Sequence, residues 1–195
     1  MDSFDIESVI EFFNSRAAAW DEKMVRNEEA ISAILDVAGI RAGIDVLDVA
    51  CGTGVLFPDY FSRGVASLTA IDVAPQMARR AQEKFPQADV ICGNVETWPF
   101  ERKFDAVVVY NAFPHFPDFQ RIIRELASLT KPGGRLTVAH GMSLERLRAH
   151  HAGAASKISR EMLAPEELAA LMRRYFIVDT AVSDDEKYVV SGVRV

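Results

Sequence analysis

One segment of the chain runs from an apolar strand directly into a glycine-rich turn. It reads Val46-Leu47-Asp48-Val49-Ala50-Cys51-Gly52-Thr53-Gly54 and leads toward a predicted helix. Gly52 and Gly54 have no Cβ atom, so the backbone can turn sharply and approach a ligand closely, while free N–H groups at the helix start face the same place. The segment predicts a site for a nucleotide-like ligand, although a strand followed by Gly-x-Gly is not specific by itself.

A second predicted strand, residues 67–72, ends in the carboxylate of Asp72. In a doubly wound sheet this position hydrogen-bonds a ribose diol, since one carboxylate can accept from both hydroxyl groups. The same pair of elements occurs in nicotinamide-binding domains. Those domains carry a third glycine where this chain has Phe57, whose bulk opposes close packing of helix on strand.

The remaining pattern alternates between strands and helices, which indicates an α/β fold. The strands are predicted near residues 44–49, 67–72, 89–92, 104–110 and 134–140. The helices are predicted near residues 5–18, 27–38, 55–63, 75–84 and 119–129. Two β-rich runs, 177–183 and 188–195, flank a polar turn and predict an antiparallel hairpin, which nicotinamide domains usually lack.

Four ordered motifs resemble those of the class I S-adenosylmethionine-dependent methyltransferases, of the small, single-domain kind that acts on small molecules. Motif I corresponds to residues 48–54, with Ala50 where a glycine is more usual, and Asp72 ends the second strand. Residues 93–100 resemble the motif Gly-Asp-Ala-Glu-x-x-Pro-Phe, with Asn94 in the place of the aspartate. Residues 104–118 resemble the fourth strand with its active-site loop, and residues 129–136 resemble the turn into the fifth strand.

The resemblance implies a three-layer, Rossmann-like, seven-stranded and mostly parallel sheet with an antiparallel C-terminal hairpin strand. It implies S-adenosylmethionine as cofactor and S-adenosylhomocysteine as product. Val73 and Met77 would flank the adenine, and the amide oxygen of Asn94 would accept from its amino group. The implied cofactor-binding residues are Asp48, Ala50, Gly52, Gly54, Asp72, Val73, Met77, Asn94, Val95 and Asn111.

All four histidines follow the fourth predicted strand, near the sheet edge where ligands of open α/β sheets bind. His115 and His140 are the candidate general bases, with structural loop or core contacts as the alternative for each. His150 and His151 lie on a predicted helix that starts at Ser143, and because they diverge by about 100° only one can face the site. A divalent metal held by these histidines is a less favoured alternative, since their spacing matches no recognised metal motif.

Two segments are expected to enclose the methyl acceptor: a helical cap at residues 1–38 and a lid at residues 141–165, both within one domain of residues 1–195. The candidate acceptor-binding residues are Arg16, Trp20, Phe113, His150 and His151. Phe113, with Tyr110 and Phe116, could equally belong to the core. These side chains favour a small, partly hydrophobic acceptor.

Composition agrees with one domain, because 195 residues with 49% apolar content suffice for a sizeable core. A formal net charge of −6 opposes nucleic acid as a partner, and no apolar run is long enough for a membrane span or a signal peptide. A cytoplasmic monomer or homodimer is expected. In the implied strand order, Cys51 and Cys92 lie about two strand spacings apart, which predicts free thiols.

Three functions are therefore compared: a methyltransferase, a module that binds S-adenosylmethionine or a metal without turnover, and a nicotinamide-dependent oxidoreductase. A blocked acceptor space would favour the module. A substrate domain after the dinucleotide fold would favour the oxidoreductase, and the sequence contains no sign of one.

Overall fold

The computed structural model describes residues 5–151 and 156–195, excluding the side chains of Lys23, His150 and His151. Seven strands form one sheet in the order β3-β2-β1-β4-β5-β7-β6. The strands are β1 Asp45–Val49, β2 Ser67–Asp72, β3 Asp89–Cys92, β4 Phe104–Tyr110, β5 Thr130–His140, β6 Phe176–Ser183 and β7 Tyr188–Arg194. The helices are α1 Ile6–Arg16, α2 Glu28–Val37, α3 Phe57–Ser62, α4 Pro75–Lys84, α5 Phe119–Leu129, α6 Leu144–His151 and α7 Pro165–Met172.

The sheet confirms the predicted fold class. Strands β1 to β5 pair in parallel, whereas β7 is antiparallel to both β5 and β6 and lies between them. The order reverses between β1 and β4, which is the point where open α/β sheets bind their ligands. The hairpin β6–β7 forms the edge of the sheet next to β5, away from this ligand-binding point.

Alternate residues of the strands bury against helices on the two faces, which gives the three layers. On one face, Val46 and Ala106 pack with α2 and α3. On the other face, Leu47 and Val107 pack with α5 and α7. Central parallel strands covered on both sides are expected to read as continuous apolar runs, as β4 does.

Three element boundaries differ from the sequence prediction by two residues or more. Helix α1 ends at Arg16 and is followed by short 3₁₀ turns rather than continuing to residue 18. Helix α3 starts at Phe57, two residues later than predicted, because the glycine turn continues to residue 56. Strand β5 starts at Thr130 instead of residue 134, because Thr130 pairs with Phe104 before a bulge shifts the register.

The prediction of free thiols is confirmed. Cys51 is buried, Cys92 is exposed, and neither forms a disulfide. In the part of the chain that the structure describes, no helix is both long and apolar enough to cross a membrane.

Candidate functional site

A cavity of about 870 Å³ opens at the carboxyl ends of β1, β2 and β4. Most of the residues that the sequence singled out lie on its wall. Those predicted for the cofactor and found there are Ala50, Gly52, Asp72, Val73, Met77, Asn94, Val95 and Asn111. Those predicted for catalysis or the acceptor and found there are Arg16, Trp20, His115 and His140.

The glycine turn owes its shape to three residues with left-handed backbone. Gly52 has φ 56°, Gly54 has φ 82° and Ala50 has φ 55°. A Cβ atom on Gly54 would lie 2.9 Å from the ring of Phe57. Glycine is therefore required at this position both by the positive φ and by the close approach of the ring. Gly54 does not line the cavity; it lets the fully buried Phe57 pack beneath the turn.

Asp72 connects the end of β2 to the glycine turn. Its Oδ2 accepts a hydrogen bond of 2.8 Å from the N–H of Gly52, and its Oδ1 accepts one of 2.8 Å from the N–H of Ala74. Burial raises the pKa of Asp72 to about 6, although both hydrogen bonds act in the opposite direction. The carboxylate therefore sits at the cavity wall with backbone partners on both oxygens.

Asp48 lies behind the turn rather than on the cavity wall. Its side chain is buried on the same face of β1 as Tyr60 of α3. Burial, and then the neighbouring charge of Asp72, raise the pKa of Asp48 well above its usual range, while the Tyr60 hydroxyl acts in the opposite direction. Asp48 is 2% exposed and does not line the cavity, so its direct contact with the cofactor stays a prediction.

Asn94 caps the loop after β3. Its Oδ1 accepts from the N–H of Glu96 at 3.0 Å, and its carbonyl accepts from Thr97 and Trp98. The amide oxygen that the sequence assigned to an adenine amino group therefore already accepts one backbone hydrogen bond, which leaves it one further lone pair. The other terminal atom of the side chain is a nitrogen, which can only donate.

Asn111 directly follows β4 and has φ 55°, a left-handed conformation that asparagine tolerates better than most residues. Its N–H donates to the carbonyl of Ala139, and its Oδ1 accepts from the N–H of Gly141 at 2.9 Å. Asn111 thus joins the ends of two neighbouring strands at the cavity floor.

The two candidate bases occupy different surroundings. His115 lies in the loop after β4, with Nδ1 3.0 Å from the carbonyl oxygen of Ile158 and its ring edge-on to Phe13. His140 is the last residue of β5, is 1% exposed, and makes an edge-on contact with the ring of Tyr188 at 5.9 Å. Both nevertheless line the cavity.

The predicted acceptor-binding residues divide between the wall and the core. Arg16 lies exposed at the rim with its guanidinium 3.6 Å from the centre of the Phe12 ring, and Trp20 packs on Phe13. Phe113 does not line the cavity: it is fully buried and stacks on Phe119 at 4.7 Å. Its role in the fold is core packing, which is the alternative that the sequence left open.

The side chains of His150 and His151 lie outside the described residues, although the backbone of α6 includes both positions. Among the side chains that are described, no group of three or more histidine, cysteine, aspartate or glutamate residues could hold a metal ion.

Comparison with known proteins places this geometry in a family. A family described as "Methyltransferase domain" matches residues 46–134. The ubiquinone biosynthesis O-methyltransferase of Xanthomonas oryzae pv. oryzae is 38% identical over 73% of this chain and 64% of its own length. The chain therefore spans somewhat less than two thirds of that relative.

Solved structures share the whole fold at low sequence identity. The N-methyltransferase NodS of Bradyrhizobium japonicum, in complex with S-adenosyl-L-homocysteine, superposes with a TM-score of 0.74 at 14% identity, covering 95% of this chain and 97% of NodS. The magnesium protoporphyrin IX methyltransferase of Synechocystis, with bound S-adenosylmethionine, gives 0.70 at 16% identity, covering 100% of this chain and 98% of that one. The chain belongs to the class I S-adenosylmethionine-dependent methyltransferases.

Sequence reasoning missed the contacts by which the N-terminal part of the chain reaches the glycine turn. Asp21 accepts from the hydroxyl of Thr53 at 2.5 Å and pairs with Lys84 of α4 at 2.8 Å. Arg26 donates to the carbonyl of Val55. No local sequence signal marks these residues, since each acts on a partner far along the chain.

Ala50 generates a prediction, because a left-handed conformation costs alanine roughly 1–2 kcal/mol that glycine does not incur. Glycine loses about 0.4–1 kcal/mol through the greater freedom of the unfolded chain. We expect Ala50→Gly to raise the free energy of unfolding by about 0.5–1 kcal/mol in urea denaturation. The matched control is Ala66→Gly, at an exposed turn residue without positive φ, which should lower it. Destabilisation by both substitutions would contradict a strained Ala50.

Proposed function

We propose that this chain transfers a methyl group from S-adenosylmethionine to an oxygen atom of a small, partly hydrophobic molecule. The observation that carries the proposal is the single cavity, which joins the glycine turn and Asp72 to His115 and the rings of α1 without an intervening wall. Its volume of about 870 Å³ lies near the upper end of the roughly 300–1,000 Å³ typical of small-ligand sites, which favours room for cofactor and acceptor together.

The cofactor occupies the half of the cavity at β1 and β2 in this proposal. The ribose diol donates to the Asp72 carboxylate, whose two oxygens each keep a second lone pair beside the backbone bond. Val73 and the buried Met77 flank the adenine, and Asn94 with Val95 borders its edge. Cofactor contact by the backbone of Gly52 requires no side chain and suits the tight turn.

The acceptor occupies the half enclosed by the N-terminal cap and the lid. Phe12, Phe13 and Trp20 come from the cap, Phe116 follows His115, and Met142 comes from the lid. Aromatic and thioether surfaces of this kind favour an acceptor with an aromatic or alkyl portion. The relatives named as O-methyltransferases support oxygen as the methylated atom.

His115 is the proposed general base. The carbonyl of Ile158 can only accept, so Nδ1 of a neutral His115 carries the proton and Nε2 bears the lone pair that a base needs. Nε2 then takes the hydroxyl proton of the acceptor as its oxygen attacks. The cofactor supplies an activated methyl group on a cationic sulfur, so the protein mainly positions the acceptor and removes its proton.

Binding without turnover is the second candidate. The acceptor half of the cavity is open rather than blocked, which favours transfer over a module that only stores the cofactor.

The activity is tested with radiolabelled S-adenosylmethionine and a panel of phenols and catechols that carry alkyl or carboxylate groups. With an acceptor found in this way, we expect His115→Gln to lower kcat by about 10²–10⁴-fold, because general-base catalysis contributes that range. S-adenosylhomocysteine should bind the variant nearly as well as the parent, since His115 faces the acceptor. The comparison variant is His140→Gln. If His140→Gln loses activity and His115→Gln retains it, the base has been assigned to the wrong histidine.

Asp72 gives a pH prediction for cofactor binding. Ribose hydroxyls donate best to an ionised carboxylate, so the Kd of S-adenosylhomocysteine should rise as the pH falls through about 6, the raised pKa of Asp72. The slope should approach tenfold per pH unit well below that value, because Asp72 must release one proton for each ligand that binds. Calorimetry between pH 7.5 and 5 measures it. A constant Kd would contradict the role of Asp72.

Loss of stability through Asp72 should not be the cause of weaker binding at low pH. The pKa of Asp72 is raised above its ordinary value of 3.8, so its contribution to stability is present below that value and is lost as the pH rises through about 6. Acidification to pH 5 therefore strengthens this contribution while it weakens binding. The control Asp72→Asn should bind less tightly and show no such slope.

Asn94 yields a prediction that runs against ordinary expectation for a substitution in a binding site. Because its Oδ1 already accepts from Glu96, Asn94→Asp would add a second oxygen where the parent has a donor nitrogen. We expect about threefold to tenfold tighter binding of S-adenosylhomocysteine, as a charged acceptor replaces a neutral one opposite the adenine amino group. The same titration with S-inosyl-homocysteine, whose base has no amino group, should show no gain. Equal or weaker binding of both compounds by the variant would place the adenine elsewhere.

A further inference from the structure

The loop that carries His115 is held by one short segment from the lid. Residues 158–160, which we call the clamp segment, begin at the end of the 3₁₀ helix Ser156–Ile158. Nδ1 of His115 lies 3.0 Å from the carbonyl oxygen of Ile158 and 3.0 Å from the hydroxyl of Ser159. Two consecutive residues of the lid thus meet one nitrogen of the ring.

Arg160 ties the same loop on both sides of His115. Its backbone N–H donates to the carbonyl of Pro114 at 2.8 Å, and its guanidinium donates to the carbonyl of Pro117 at 2.6 Å. The guanidinium also lies 4.9 Å from the centre of the Phe119 ring. The distance from the ring of His115 to the clamp segment is therefore fixed by backbone contacts and not by the histidine alone.

The two partners of Nδ1 differ in what they impose. A hydroxyl can donate or accept, so Ser159 is compatible with either neutral tautomer of the ring. A carbonyl only accepts, so the Ile158 oxygen is satisfied only when Nδ1 carries the proton. The carbonyl therefore selects the tautomer in which Nε2 keeps its lone pair.

The carbonyl stays in place because the side chain of Ile158 is buried. Ile158 is 4% exposed and packs with Val9, Phe12 and Phe13 of α1 and with Val73 beside Asp72. This cluster joins the cap, the lid and the proposed cofactor half of the site. The tautomer of His115 is consequently linked to the seating of the lid on the cap.

We infer that the clamp segment fixes the proton of His115 on Nδ1, so that a competent base exists only while the lid is seated. Ile158 acts through its carbonyl, and Arg160 is a positioning residue that keeps the loop in register with it. The inference deepens the proposed function and rests on it, because it assigns the control of the same base.

The direct test is a long-range ¹H–¹⁵N correlation spectrum of the ¹⁵N-labelled protein saturated with S-adenosylhomocysteine, at a pH where the ring is neutral. Protonated and bare ring nitrogens differ strongly in ¹⁵N shift, and the His115 signals are assigned by their loss in His115→Gln. We expect Nδ1 to be the protonated nitrogen. A parent protein with the proton on Nε2 would overturn the inference.

Four variants separate positioning from general structure. Arg160→Ala and Ile158→Ala should each allow the Nε2–H tautomer to appear, whereas Arg160→Lys, which keeps a donor for Pro117, should restore part of the parent spectrum. Ser159→Ala should leave the proton on Nδ1. The matched control is Lys157→Ala in the same lid segment, whose exposed side chain makes none of the clamp contacts. Retention of the parent tautomer in both Arg160→Ala and Ile158→Ala would also overturn the inference.

Turnover supplies the second readout. With an acceptor from the panel, Arg160→Ala should lower kcat by about twofold to tenfold, in proportion to the remaining Nδ1–H population, while KM for the cofactor is unchanged. An unchanged kcat despite a mixed tautomer would overturn the link to catalysis. Absence of methyl transfer by the parent, together with the expected spectra, would refute the proposed function and leave the tautomer selection standing as a property of the fold.

Discussion

The site depends on the carboxylate of Asp72 and its two backbone donors. One oxygen holds Gly52 in the turn after β1, and the other holds Ala74 at the start of α4. These bonds fix the turn before any ligand arrives, which lowers the cost of ordering it on binding. They also explain how a buried carboxylate is tolerated, since hydrogen bonds offset part of the burial that raises its pKa to about 6. Burial, and then the charge of Asp72, raise the pKa of Asp48 behind the turn, so both acids hold a proton more tightly than exposed carboxyl groups do.

The coverings of the cavity are connected to this turn and to each other. Asp21 and Arg26 bind the N-terminal part to the turn through Thr53 and Val55. The lid meets the same N-terminal part through Ile158. Contacts made by the N-terminal part therefore support the position of the lid, and the reverse also holds. Ordering of either segment reduces the conformational entropy that the other must lose.

The parallel half of the fold could be predicted because its signals are local: apolar runs, glycines at a strand end and a carboxylate ending β2. Boundaries failed where a distant partner decides them, as at Thr130, which joins β5 because Phe104 lies opposite. At the site, wall residues such as Val73 and Met77 could be placed because they follow the β2 carboxylate in the motif that the chain shares with the family it resembles. Phe113 could not be placed, because a side chain in a loop can point either into the cavity or into the core. Only the stacking contact with Phe119 shows that it points into the core. The clamp contacts of Arg160 had no sequence signal, because they end on carbonyl groups that every residue possesses.

The two halves of the cavity differ in how they are built. In the proposed function, the cofactor half uses backbone N–H groups and strand ends, which the sheet itself positions, whereas the acceptor half uses side chains of α1 together with Met142 and Leu147. Acceptor chemistry can therefore change without disturbing the cofactor half, in keeping with a fold that hosts many reactions. His115 belongs to the sheet loop, but in the inference drawn above its proton is positioned by the clamp segment of the lid. In the proposed mechanism, a lid altered for a new acceptor must therefore keep the backbone carbonyl of residue 158 beside Nδ1 for His115 to act as the base.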